Sequence, residues 1–236
     1  MKATALCLSL LTATLLAADS AGLVFHLPLD EGSGQTVHDR VAGNAFTAHN
    51  PQHFGWGPGT RGPVLQLDNP DKANERASFL LPWPDGLDLA KPFTIVIDIQ
   101  TAKEVAWKRS YQIARVGGTD EGCFALEFSW DMFWVTFREK GEAKSIVTNS
   151  RELRPSSGTW YRLAWTYDGK VIRTYVDGME RAAGAATFKT PARPYIVLGA
   201  SSPNGAGYGY EGKMADFRIY SRALTPAEIA ALAAKE

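Results

Sequence analysis

Short runs of alternating apolar and polar residues make up most of this chain. Examples are LVFHL, FTIVIDIQ, FALEFS and MFWVTFRE, and turn-forming residues separate the runs. A period of two sends alternate side chains to opposite faces of a strand, so that one face can be buried. Because no helical pattern lies between the runs, the sequence predicts an all-β fold, an antiparallel sandwich or barrel.

Helix signals are clear only near the C-terminus. Thr225 can cap a helix, Pro226 suits its first position and Glu228 completes a capping box. Ile229 and Leu232 then share a small apolar face. The sequence therefore predicts one short C-terminal helix that packs on the sandwich.

Two Asp-Gly pairs mark tight turns in the second half of the chain. Asp168–Gly169 lies inside the segment TWYRLAWTYDGKVIRTYVDG, and Asp177–Gly178 closes it. Aspartate and glycine tolerate the positive φ angles that such turns need, so this segment predicts a β-hairpin.

The bulk composition suits one sandwich domain and excludes some partners. The chain has 236 residues, 45% of them hydrophobic, which is enough for a sizeable core. Its 25 basic and 25 acidic residues give a net charge of zero. A neutral chain argues against binding to nucleic acid or to an anionic membrane surface.

The first residues, MKATALCLSLLTATLLAADSAG, combine a basic start, an apolar run and small residues. This pattern predicts a signal peptide over residues 1–18, so we expect a secreted protein, in the periplasm, on the cell surface or in the medium. The alternatives are a buried helix or a membrane anchor, but the apolar run is short for a span, and no later segment is apolar enough. Cleavage would remove Cys7 and leave only Cys123, which excludes an internal disulfide.

Three longer motifs carry a family resemblance. They are FHLPLDEGSGQTVHD, the Asp-Gly hairpin segment and GKMADFRIYSRALTPAEIAAL. In this order they resemble the opening, middle and closing segments of LamG-like domains, which belong to the concanavalin A-like lectin/glucanase superfamily. The resemblance implies a jelly-roll β-sandwich over residues 22–236. Asp98 departs from it, because the family often has tryptophan there, and Asp216 is one acidic residue where two are often seen.

The resemblance also implies a candidate metal site. Jelly rolls of this superfamily often hold one structural Ca²⁺ between the N-terminal turn and an aspartate near the last strand, and Asp30 and Asp216 match these positions. Calcium prefers carboxylate and carbonyl oxygens. The alternative is that Asp30 caps its own turn and Asp216 pairs with an arginine. No other cofactor is expected.

The neighbouring runs FALEFS and MFWVTFRE predict a candidate sugar-binding face. Their large apolar residues alternate toward the core, which leaves Glu127, Trp134 and Arg138 on the outer face. A tryptophan ring can stack on a sugar while a carboxylate and a guanidinium bond its hydroxyl groups. Tyr208 and Tyr210, in the glycine-rich segment SSPNGAGYGYEG, are further candidate contacts. Alternatively, Trp134 is covered by a loop and the glycine-rich segment is only a connection.

Evidence for catalysis is weak. The E-x-D-x-x-E pattern of family 16 glycosidases is absent, and the four histidines carry no serine or cysteine nucleophile motif. The sequence favours a secreted, non-catalytic module that binds a polysaccharide or surface glycan. The alternatives are a structural or adhesive module that binds protein and, less favoured, a divergent glycoside hydrolase or polysaccharide lyase.

Overall fold

The computed structural model describes residues 20–69, 75–102, 110–118, 120, 122–129, 132–147 and 156–234. The predicted signal peptide lies outside these ranges, so it stays a prediction. Among the described residues, no helix is both long and apolar enough to cross a membrane.

The described residues form sixteen strands and one α-helix. The strands are β1 (Leu23–Leu27), β2 (Thr36–His38), β3 (Ala45–Thr47), β4 (Phe54–Pro58), β5 (Pro63–Leu67), β6 (Phe79–Leu81), β7 (Phe93–Thr101), β8 (Ser110–Val116), β9 (Phe124–Ser129), β10 (Met132–Glu139), β11 (Glu142–Val147), β12 (Trp160–Tyr167), β13 (Val171–Val176), β14 (Met179–Ala185), β15 (Ile196–Leu198) and β16 (Gly212–Tyr220). The helix is α1 (Pro226–Ala233).

Two antiparallel sheets form the sandwich. The larger sheet has the order β14-β13-β12-β7-β16-β5-β4, and the smaller sheet has the order β11-β10-β9-β8-β15-β6. Strand β16 lies within the larger sheet, where its first half pairs with β5 and its second half with β1. Strands β2 and β3 form a separate ribbon. The predicted fold class is confirmed.

The core lies between the inner faces of the two sheets. Ile95, Ile97 and Ile99 of β7 are completely buried, as are Phe133 and Val135 of β10. Each such side chain contributes roughly 1.5–3 kcal/mol when it leaves water. The inner faces meet through aromatic rings: Phe93 of β7 and Phe124 of β9 stack with centroids 5.5 Å apart. The period-two pattern therefore identified the core correctly.

Five strands escaped the sequence pattern: β2 and β3 of the ribbon, which are only three residues long, and β4, β11 and β14, which have local reasons. Strand β4 reads FGWGP, in which glycine and proline signal a turn rather than a strand. Strands β11 and β14 are the outermost strands of their sheets, and most of their side chains are exposed or half-buried. Exposure on both faces removes the apolar alternation from which strands are predicted.

The predicted turn and cap chemistry is present. Asp177 and Gly178 have φ angles of 50° and 78°, the paired positive values of a tight hairpin turn between β13 and β14. At the start of α1, the Thr225 side chain accepts a hydrogen bond from the Glu228 backbone N–H, and the Glu228 side chain reciprocates.

Helix α1 covers part of the outer face of the larger sheet. Ile229 and Leu232 of the helix, with Leu224, pack against Val96 and Ala164 of the sheet in a second, smaller core. The larger sheet is therefore buried on one whole face and on part of the other.

A buried ion network lies beside this second core. Arg162 of β12 donates Nε to Asp98 of β7 at 2.6 Å and Nη2 to Asp216 of β16 at 2.9 Å. Its Nη1 donates to the Leu232 carbonyl at the end of α1. His26 of β1 completes the network, with Nε2 2.9 Å from Asp216 Oδ1. One guanidinium thus ties the helix to three strands of the sheet.

The surroundings of Asp216 keep its carboxyl group ionised. Burial alone would raise its pKa, but the His26 hydrogen bond and the guanidinium groups of Arg218 and Arg162 hold the pKa well below its usual range. Asp216 also has a φ angle of 52°, where β16 shifts register between Ala215 and Arg218.

We expect Asp216→Asn to destabilise the fold by about 3 kcal/mol, because it removes the counter-charge of Arg218 and one of the two carboxylates that pair with the buried Arg162. Asparagine tolerates the same positive φ, so the change isolates the charge. Asp30→Asn is the matched control: Asp30 pairs with Arg40 on the surface, and its loss should cost less than about 1 kcal/mol. Urea unfolding of both variants measures the difference, and equal effects would contradict the prediction.

The depressed pKa of Asp216 also predicts that the stability of the fold depends on pH. Since the folded-state pKa of Asp216 is depressed, its contribution to stability is complete above the unfolded pKa of about 3.9 and is lost as the pH falls. The stability gap between the wild-type protein and Asp216→Asn should therefore be constant near pH 7 and narrow below about pH 4. A gap that persists unchanged in acid would refute this assignment.

Candidate functional site

The outer face of the smaller sheet carries a row of three side chains on three neighbouring strands. Trp134 of β10 lies opposite Glu127 of β9, and Glu127 lies opposite Gln112 of β8. Adjacent strands are about 5 Å apart, so the three groups form a short line across the sheet. Trp134 and Glu127 are half-buried, whereas their neighbours Phe133 and Phe128 point into the core.

Glu127 is the titratable group of this row. Burial raises the pKa of its carboxyl group, while the Thr136 hydrogen bond and the charge of Arg115 act in the opposite direction with less effect. Thr136 Oγ1 donates to Glu127 Oε2 at 3.2 Å, which holds the carboxylate on the outer face. The group therefore takes up a proton at a higher pH than an exposed glutamate.

The loop that follows β15, the strand next to β8, is anchored to the Gln112 end of the row. Ser201 Oγ donates to Gln112 Oε1 at 3.0 Å, and Arg115 Nε donates to the Ser201 carbonyl at 2.8 Å. The Tyr208 backbone N–H donates to Ser201 Oγ at 2.9 Å, and the Tyr208 side chain is 55% exposed. Gln112 is 0% exposed, so Glu127 and Trp134 form the accessible surface, hereafter the Trp134 surface, and the loop brings the exposed Tyr208 to its edge.

Two predicted contacts stand apart from this surface. Arg138 is exposed and lies on the same face of β10, but four residues, or about 13 Å, from Trp134. Tyr210 departs from the expectation: its side chain is 0% exposed, and burial raises its pKa well above the usual value. A buried ring cannot contact a ligand on the surface. The loop turns inward after Tyr208 because the Tyr210 N–H pairs with the Gly199 carbonyl.

Sequence reasoning missed Gln112 and Arg115, the two residues that anchor the loop beside this site. They are three residues apart, so strict alternation puts them on opposite faces of the strand. A register shift between Gln112 and Ala114 adds one residue to β8, and both Ile113 and Ala114 are buried. This β-bulge turns Gln112 and Arg115 to the same face. A bulge leaves no reliable mark in a single sequence.

The predicted metal ligands meet at a second location. Asp30 and Asp216 both line a pocket of about 520 Å³ where β1, β5 and β16 come together. Four arginines line the same pocket. Asp216 accepts bonds from Arg162, Arg218 and His26, and Asp30 accepts one from Arg40.

These contacts do not fit a hard cation, because guanidinium groups occupy the positions that calcium would need. Within the part of the chain that the structure describes, no group of three His, Cys, Asp or Glu side chains is placed to hold a metal. Calcium binding at Asp30 and Asp216 stays a prediction. The arginine pairing of Asp216 corresponds to the alternative weighed for that residue.

Several solved structures share this fold. The binding domain of Paraclostridial Mosquitocidal Protein 1 has a TM-score of 0.69 at 16% identity, over 92% of this chain and 52% of that chain. The binding domain of Botulinum neurotoxin DC in complex with SialylT has a TM-score of 0.70 at 12% identity, over 92% and 52%. The present chain therefore spans about half the length of these toxin domains.

A third structure matches along nearly its whole length. Domain 4 of AbnA, a GH43 extracellular arabinanase from Geobacillus stearothermophilus, in complex with arabinotriose, has a TM-score of 0.66 at 20% identity. The match covers 90% of this chain and 98% of that domain. At such identities these likenesses show the fold alone. No curated protein matches the sequence significantly.

A family model provides the sequence-level relationship. It describes the concanavalin A-like lectin/glucanases superfamily and matches residues 77–230, from the strand β6 region to helix α1. This range covers more than half of the chain and contains the hairpin motif and all but the last two residues of the closing motif. The protein belongs to the concanavalin A-like lectin/glucanases superfamily.

Proposed function

We propose that this protein is a secreted, non-catalytic module that binds carbohydrate at the Trp134 surface. The observation that carries the proposal is the cross-strand pairing of Trp134 and Glu127, both half-buried on the outer face of the smaller sheet. A tryptophan ring packs on the apolar face of a sugar, and a carboxylate accepts hydrogen bonds from its hydroxyl groups. Secretion is supported by the predicted signal peptide.

Pre-organisation supports binding at this surface. Glu127 is held by Thr136, so its carboxylate is in place before a ligand arrives. Groups that are already ordered lose less conformational entropy on binding. Tyr208 extends the surface on an anchored loop. The AbnA domain, which shares the fold, was solved with arabinotriose, and this is consistent with the proposed ligand class.

The arrangement around Glu127 favours binding over hydrolysis. A retaining glycosidase places two carboxyl groups about 5 Å apart. The cross-strand neighbours of Glu127 are Gln112 and Trp134, so neither position at that distance carries a second carboxylate. The raised pKa of Glu127 has a simple structural cause, which is burial on the sheet.

Trp134→Ala should weaken carbohydrate binding at least tenfold, because it removes the stacking ring and leaves the core intact. Affinity electrophoresis in gels that contain soluble arabinan, mannan or mixed-linkage β-glucan measures the loss. Leu80→Ala is the matched control, since Leu80 is a 51% exposed apolar residue on β6 of the same sheet. Unchanged retardation of Trp134→Ala, at an unchanged melting temperature, would remove Trp134 from the site.

Binding should also weaken in acid through Glu127. Because its pKa is raised, protonation removes a hydrogen-bond acceptor at a pH above the usual glutamate value of about 4.3. Glu127→Gln should bind more weakly near pH 7 and lose this pH dependence. The control is Glu142→Gln at the exposed edge strand β11.

The sign of the effect on stability separates binding from unfolding. A carboxyl group whose folded pKa is raised destabilises the fold when ionised, so protonation of Glu127 favours the folded state. Acid should therefore weaken binding at a pH where the protonation of Glu127 does not lower the melting temperature. A Glu127→Gln variant with the wild-type pH profile would exclude this role.

A further inference from the structure

The outer face of the larger sheet carries a second polar row, unrelated to the Trp134 surface. Trp160 of β12 pairs with Gln100 of β7, Gln100 pairs with Lys213 of β16, and Lys213 pairs with Gln66 of β5. The four residues thus lie side by side on four neighbouring strands. At about 5 Å per strand the row is about 15 Å long.

Two of these side chains are held in place by backbone carbonyl groups. Gln100 Nε2 donates to the Gly158 carbonyl at 2.8 Å, and Lys213 Nζ donates to the Pro58 carbonyl at 2.7 Å. One acceptor ends strand β4 and the other lies in the turn before β12. The row is therefore ordered by the fold, in contrast to the mobile polar side chains of an ordinary solvated surface.

Two glycines of β4, the strand next to β5, leave the Gln66 end of the row uncovered by side chains. Gly55 of β4 has no atom within 4 Å of the position that a Cβ would occupy. At Gly57 a Cβ would lie 2.4 Å from Gln66 Oε1 and 3.2 Å from Lys213 Cε, so this glycine makes room for both side chains. Strand β4 consequently contributes backbone and no side chains to this part of the outer face.

The row lies in a depression of the surface. A pocket of about 260 Å³ is lined by Gln66, Gln100 and Lys213. The pocket of about 520 Å³ that Trp160 lines follows it along β16, where Ala215 of that pocket is the next outward residue after Lys213. The lining residues of the two pockets succeed one another along β16 from Glu211 to Arg218, over about 20 Å, and the pair of pockets is hereafter called the trough.

Charges along the trough cancel. Five basic and five acidic side chains line the two pockets, and His26 is the one further titratable group. A balanced surface does not attract a polyanion or a polycation strongly. Ordered amides, one ammonium group and one tryptophan ring suit a ligand that is uncharged and rich in hydroxyl groups.

We propose that this trough is a second glycan-binding site, which takes a segment of a neutral polysaccharide chain. The ligand class rests on the proposed function, whereas the residues are independent of the Trp134 surface. The two sites lie on the outer faces of opposite sheets, so they face away from each other. A single molecule therefore bridges two polysaccharide chains.

Two kinds of variant test the trough without touching the core. Gly55→Ile fills the open end of the row with a side chain that suits a strand, and Gln66→Ala with Gln100→Ala removes the amides. Lys91→Ala is the control, since Lys91 is exposed in a loop and its Nζ lies 3.8 Å from Asp88 Oδ2, too far for a hydrogen bond. Melting temperatures confirm that every variant is folded.

Retardation is measured in gels that contain arabinan, mannan, mixed-linkage β-glucan or polygalacturonate. Bridging is measured as the aggregation of beads coated with a retarding polysaccharide. We expect the trough variants to bind about tenfold more weakly at this site and to lose bead aggregation while the Trp134 surface still causes retardation. Trp134→Ala should also abolish aggregation.

The outcomes separate the two proposals. If the trough variants aggregate beads like the wild-type protein while Trp134→Ala abolishes retardation, the trough is refuted and the Trp134 surface stands. If only the trough variants lose retardation, the Trp134 surface is refuted and the trough stands. Wild-type protein that is retarded by none of the neutral polysaccharides overturns both, and retardation by polygalacturonate alone overturns a neutral ligand for the trough.

Discussion

The pleat of a β-strand sends neighbouring side chains to opposite sides, and this constraint governs the whole molecule. Each sheet of the sandwich must give one set of alternating positions to the core, where residues such as Ile97 and Phe133 exclude water completely. The remaining positions form the two outer faces. Recognition on a sheet can use only these positions, together with the loops that border them.

The outer face of the larger sheet is unusual because helix α1 buries part of it. Burial there places Arg162 and Asp98 away from water, and such charges are tolerated only when they are fully paired. The network meets this condition by joining β7, β12 and β16 to the last turn of the helix. The pocket lies at the junction of β1, β5 and β16, because β16 changes its pairing partner from β5 to β1 at Asp216.

The two outer faces offer different chemistry for the proposed carbohydrate ligand. On the smaller sheet, Trp134 and Glu127 are neighbours, and the anchored loop adds Tyr208 at the border. On the larger sheet, amides and an ammonium group lie in a trough whose charges cancel. A binding module with recognition groups on opposite faces differs in principle from one with a single cleft, because it connects chains rather than only holding one.

The sequence by itself determined what depends on local spacing. Period-two alternation identified the inner faces, the Asp168–Gly169 pair identified the hairpin of β12 and β13, and Thr225 with Glu228 identified the capped helix, because each signal acts over a few neighbouring residues. The same alternation correctly turned Trp134 and Glu127 outward. Edge strands such as β11 carried no such signal, since water covers most of their side chains.

Only the tertiary structure decided which distant residues meet. The bulge in β8 brought Gln112 and Arg115 to one face, and the inward turn after Tyr208 buried Tyr210. The partners of Asp216 come from β1, β12 and β16, so its surroundings depend on strand order. The spacing of residues in a single sequence does not reveal that order. Register and strand order are set by the packing of the entire sheet, and the candidate sites are made from both.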